Sequence, residues 1–168
     1  MRSVAAAIGL TPSPLSTPIS NCGPAILIFH FVFAYGILSS RTLKQYYGID
    51  HNVSPREDLN KYGDAAVRDG KLTQSQLNML RRTEAAHANS VENYTLLVAG
   101  ITMASVAGVS PQTINAAGLT YTVARVGYAA VYILVDRPAL SQLRGITWWV
   151  GNLTCLYLLW EAGRLLST

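Results

Sequence analysis

The chain has 168 residues, of which 50% are apolar and only 13% charged, and its net charge is +4. Soluble domains carry roughly 25% charged residues, so a soluble all-helical bundle is the weaker reading and a polytopic membrane protein the stronger. The basic residues are not interleaved with aromatics on one polar face, which excludes nucleic acid as a partner, and the two cysteines, Cys22 and Cys155, and three histidines have no metal or redox spacing.

Residues 1–21 hold Arg2, a seven-residue apolar run over 4–10, then Pro12, Pro14 and Pro18. A secretory signal needs a cleaner apolar core of about 7–15 residues and a small-residue cleavage site. The stretch reads as a flexible tail ahead of one membrane domain over 22–168. That domain has four spans, over about 22–42, 74–107, 111–135 and 143–166.

In the first span Pro24 suits an initial helical position. His30 lies mid-span and reads as a hydrogen-bonded interface histidine in preference to a ligand. Residues 43–73 are polar. Ser54-Pro55-Arg56-Glu57 has the spacing of a cap, which predicts a short helix from Pro55 to Arg68 stopped by Gly70. Thr73 and Gln76 repeat that spacing and open the second long helix.

That helix carries polar residues into an apolar run. At 100° per residue Arg82, Asn89 and Asn93 fall within about 40° on one face, with Glu92 about 80° to the side. Such a face cannot be shown to lipid. Further along, Gly100, Ala104 and Gly108 are spaced by four, which lets helices approach closely. Ser110-Pro111 opens the third span, where Tyr121, Arg125, Tyr128 and Tyr132 share one face within about 60°. This stripe reads as a lined surface or as a structural hydrogen-bonded seam. Trp148, Trp149 and Trp160 in the fourth span suit interface anchors, and Cys155 in an apolar run suits packing.

Spans two and three are antiparallel neighbours. Glu92 lies about 15 Å from the boundary marked by Arg82, and Arg125 about 15 Å from the boundary at Val135. Equal depth predicts that Glu92 faces Arg125, Asn89 faces Tyr128, and Arg82 faces Asp136. Pairing would relieve the cost of a buried arginine, about 2.5–3.5 kcal/mol on insertion scales. Ten basic residues lie in the loops on one side against Arg2 and Arg164 on the other, which predicts cytoplasmic loops and luminal termini. Donors and one acid in such a layer suit a small zwitterionic or anionic ligand.

The pattern Arg82-x-x-Ala85-Ala86-His87-x-Asn89-x-x-Glu92-Asn93, followed by Arg125-x-x-Tyr128-x-x-x-Tyr132 and by Leu143-Arg144 with Trp148, resembles the MAPEG family. These are membrane-associated proteins of eicosanoid and glutathione metabolism. Ser54-Pro55-Arg56 looks like the Asn-Pro-Arg segment of its bacterial and fungal-type members. The resemblance implies an all-α integral membrane four-helix bundle, the protomer of a homotrimer, in the endoplasmic reticulum with its site toward the cytoplasm. It implies glutathione as cosubstrate, bound between protomers, and a lipophilic small molecule as second substrate. By position it implies glutathione contacts at Arg82, His87, Asn89, Glu92, Asn93 and Arg125, and at Arg41 from the neighbouring protomer. It implies catalytic roles for Tyr128, Tyr132 and Arg144, the last beside the thiolate; no metal is implied. Ala85 and Ala88 stand where the mammalian branch has arginines, and Gly145 where a hydroxyl residue often follows the arginine. The activities implied are glutathione transferase or peroxidase, a glutathione-dependent isomerase, or a non-catalytic lipid-presenting role.

Overall fold

The computed structural model describes residues 10–11 and 19–167, so most of the expected tail lies outside the described residues. Among them all regular structure is helical and there is no strand. Six α-helices follow in order: α1 Gly23–Val32, α2 Arg41–Tyr46, α3 Asp58–Arg68, α4 Gln74–Val106, α5 Pro111–Leu134 and α6 Pro138–Leu166, with a π-helical segment Phe33–Ile37 continuing α1. Ser20 and Asn21 are docked on helix ends. Asn21 Nδ2 donates to Ser105 Oγ at 3.0 Å, and Asn115 Nδ2 donates to the Ser20 carbonyl at 2.9 Å.

The helix boundaries follow local chemistry. The Thr73 hydroxyl accepts from the Gln76 N–H while the Gln76 side chain accepts from the Thr73 N–H, completing the expected capping box of α4. Gly108, at φ +80°, ends that helix, and Gly70, at φ +71°, follows α3. Ser110 caps α5 by accepting from the Thr113 N–H, with Pro111 in its first turn. Pro138 opens α6 ahead of the expected Leu143.

The short helix predicted from Pro55 begins instead at Asp58. The Pro55 carbonyl, which a helix would give to the N–H four residues on, accepts from the Lys44 ammonium. Ser54 therefore sits in a turn, its carbonyl accepting from the Glu57 N–H at 2.9 Å.

Helices α4, α5 and α6 pack pairwise, and α1 lies against α4 and α5. Their shared core holds Leu97, Ile101, Ile114, Tyr121, Cys155 and Leu158. Gly100 permits the α4–α6 approach: a Cβ there would lie 3.2 Å from the Cys155 carbonyl oxygen. A second core, built on Ile49, Leu59, Ala66, Leu72, Leu77 and Leu80, fixes the polar segment onto the first turns of α4. His30 is buried between α1 and α5, its Nε2 3.0 Å from the Thr122 hydroxyl, matching the interface reading.

By length and composition one stretch of the described residues, Gly23–Tyr46, passes as a membrane span. Helices α4, α5 and α6 are long enough, at about 50, 36 and 44 Å, but amides, hydroxyls and charges interrupt their apolar runs. Helices α5 and α6 nonetheless turn large apolar side chains outward, with Val123, Leu153, Leu156 and Trp160 all exposed.

Candidate functional site

The polar residues of α4 and α5 meet in a seam. Tyr121 Oη donates to Asn93 Oδ1 at 2.8 Å, and Asn93 Nδ2 donates to Asn152 Oδ1 on α6 at 2.5 Å. Arg125 is 1% exposed. Its Nη2 donates to Asn89 Oδ1 at 3.0 Å and Ser90 Oγ at 3.2 Å, while its Nη1 is buried with no hydrogen-bond partner. Gly151 on α6 makes room for the guanidinium stem, since a Cβ there would lie 3.2 Å from Arg125 Cδ.

The expected Glu92–Arg125 pair does not form. Glu92 is exposed on the flank of α4, and among the described residues its carboxylate makes no ion pair or hydrogen bond. The register is offset by roughly three residues, close to one turn, so Arg125 and Tyr121 reach the Asn89–Asn93 stretch. Depth alone does not set the register of two helices; the shared buried stripe does. That stripe runs through Thr83, Ala86, Ser90, Asn93 and Leu97, and Glu92 lies about 100° from Asn93 around the helix. Asn89 gives its amide oxygen to Arg125, whose guanidinium also lies over the Tyr128 ring, and among the described residues no hydrogen bond joins Asn89 to Tyr128. The Arg82–Asp136 contact does form, at 3.5 Å, and Arg82 Nε also donates to the Ile133 carbonyl near the end of α5.

Beyond Arg125 the α5 stripe becomes a ladder of rings and guanidinium groups. Arg125 Cζ lies 4.4 Å from the Tyr128 ring centroid, the Tyr128 and Tyr132 centroids are 5.5 Å apart, and Arg144 Cζ lies 4.4 Å from the Tyr132 centroid. Tyr128 is buried, whereas Tyr132 and Arg144 are half-buried. Among the described residues Arg144 makes no ion pair, so its charge remains available to a ligand.

On the other flank of α4 a cleft of about 580 Å³ opens between α1, the segment after it, and α4. Its lining includes Arg41, Arg56, Glu84, His87 and Glu92. The π segment contributes to it. Leu38 N–H bonds to the Phe33 carbonyl, five residues back, which frees the Ala34 carbonyl to accept from His87 Nδ1–H at 2.8 Å. His87 thereby turns its other nitrogen away from that bond.

Beside the cleft lies a charge cluster that sequence reasoning missed. Lys44, 3% exposed, meets Glu84 at 2.9 Å and Asp58 at 3.6 Å. Asp58 is fully buried and accepts from the His51 N–H at 3.2 Å. Ser40 Oγ donates to Glu84 Oε1 at 3.2 Å. The three charges come from α2, α3 and α4, so no local spacing signals them.

The structure thus divides the expected site residues. Asn89, Asn93 and Arg125 join in the seam; Tyr128, Tyr132 and Arg144 form the ladder; Arg41 and His87 line the cleft; Glu92 lines the cleft and also, with Asn89, Asn93 and Trp148, a groove of about 390 Å³ beside the seam; Arg82 closes the end of α5. The lining of the cleft includes none of the ladder residues. The MAPEG family model matches residues 22–164. No curated protein and no solved structure matches the chain.

Proposed function

The chain belongs to the MAPEG family of membrane proteins, and on that premise we propose that it is a glutathione-dependent transferase, with peroxidase activity as the related chemistry, acting on a lipophilic electrophile. Its four long helical stretches span the membrane as a bundle, in the endoplasmic reticulum, with the basic loops and the site toward the cytoplasm. It works as a homotrimer of the bacterial and fungal-type branch.

One observation carries this reading. Groups able to bind a small zwitterion lie on the cleft side, at Glu92, His87 and Arg41, whereas Arg144 and Tyr132 belong to the separate ladder. A site assembled between neighbouring copies unites the two sets, with the cleft of one protomer facing the ladder of the next. In it Glu92 receives the ammonium of glutathione and Asn89 and Asn93 border the peptide. Tyr128 and Tyr132 wall the site, and Arg144 stands by the thiol. A free thiol has a pKa of about 8.5, and a nearby guanidinium favours the thiolate, the nucleophile that adds to the electrophile. Among the arginines of the seam, the ladder and the end of α5, Arg144 is the one with the freedom to do this, because Arg125 is sealed in the seam and Arg82 is shared with Asp136.

The test is ultraviolet difference absorbance of glutathione bound to the purified protein, with Arg144→Ala beside it. The parent is expected to form the thiolate. Arg144→Ala is expected to keep glutathione affinity within about threefold, to lose turnover by about a hundredfold, and to shift the pH optimum upward. A large rise in the Michaelis constant for glutathione with turnover intact would instead make Arg144 a carboxylate anchor. Retained lipid binding with no thiolate in the parent would overturn the enzyme reading in favour of the lipid-presenting one.

A further inference from the structure

The charged groups lining the cleft are Arg41, Lys44, Arg56, Glu84 and Glu92, and three of them are committed within the protein. Lys44 pairs with Glu84. Arg41 Nε meets Asp50 at 3.4 Å, and its Nη2 donates to Asn52. Among the described residues, the cleft keeps one cation and one anion without an ion-pair partner, Arg56 and Glu92. A free guanidinium and a free carboxylate in one cleft complement a ligand that carries a carboxylate and an ammonium.

Arg56 is also held in place. The carbonyl of Pro55, immediately before it, accepts from the buried Lys44 ammonium. Asp58, two residues after it, is buried and bonded to the His51 N–H. The backbone is therefore tied down on both sides of Arg56, and only its side chain needs ordering when a ligand arrives. That lowers the entropic cost of binding.

We infer that Arg56 is a ligand-anchoring residue that takes a carboxylate of glutathione while Glu92 takes the ammonium; this rests on reading the cleft as part of the glutathione site. The structure thereby ranks the cleft arginines. Arg56 contributes more to ligand affinity than Arg41, whose guanidinium is already occupied.

The experiment is calorimetric titration of the full chain in detergent micelles with S-methylglutathione, whose blocked thiol removes any contribution from thiolate formation. Arg56→Ala is expected to bind about tenfold more weakly than the parent, Arg56→Lys to recover part of that loss, and Arg41→Ala to lose less than Arg56→Ala. Arg56 is exposed, so the melting temperature of Arg56→Ala should match the parent. Binding by Arg56→Ala within about twofold of the parent, or a larger loss in Arg41→Ala, would overturn the anchor and leave the glutathione reading standing. A parent that binds no S-methylglutathione would overturn the glutathione reading itself.

Discussion

Arg125 and Lys44 are both buried cations, and the molecule treats them in opposite ways. Arg125 lies between helices and is met by an amide, a hydroxyl and the face of a phenol, with one nitrogen left without a partner. Lys44 lies at the edge of the polar segment and is met by two carboxylates and a carbonyl. Neutral oxygens satisfy a guanidinium without desolvating a second charge, whereas a carboxylate partner brings its own desolvation cost. The seam is thus a polar join between long helices, while the Lys44 cluster clamps three segments of chain. Its consequence for function is that Glu92, the acid nearest the seam in sequence, is spared for a ligand.

The largest expected effect comes from breaking the clamp. Lys44→Met leaves Asp58 fully buried and Glu84 partly buried without their cation, and should cost about 3–5 kcal/mol of stability. Thermal unfolding in detergent checks it; a variant as stable as the parent would mean that the cluster fastens nothing. The contrast with the seam sharpens in Glu92→Gln. Since Glu92 does not neutralise Arg125, the melting temperature should stay close to the parent's, a change within about 0.5 kcal/mol. Affinity for glutathione should fall about tenfold. A large loss of stability in Glu92→Gln would restore the acid–base pair within the protomer. The smallest effect belongs to Gly151→Ala, where the new methyl presses on Arg125 Cδ. Its cost should be about 1 kcal/mol, read as a modest drop in melting temperature; no drop would show that the guanidinium stem is free to shift.

Much of the architecture was legible because its signals are local. The capping box at Thr73 and Gln76, the stops at Gly70 and Gly108, and the Ser110-Pro111 start each depend on a few adjacent residues. The α5 stripe was legible for the same reason: Tyr121, Arg125, Tyr128 and Tyr132 share a face by helical periodicity alone. The helix expected at Pro55 begins instead at Asp58, where the chain is tied to a distant residue: the Pro55 carbonyl accepts from the Lys44 ammonium.

By itself the sequence determined the all-helical class, the long helices and their polar faces, and the residue pattern that identifies the family, since periodicity and motif spacing are properties of contiguous chain. Only the tertiary structure decided who meets whom across those faces. A roughly three-residue offset between α4 and α5, set by the stripe each helix buries, moved Arg125 from Glu92 to Asn89 and Ser90. The meeting of Lys44, Asp58 and Glu84 likewise depends on three segments folding together. Which cleft charges remain free for a ligand, Arg56 and Glu92 rather than Arg41 and Glu84, follows from those pairings and could not be counted before them.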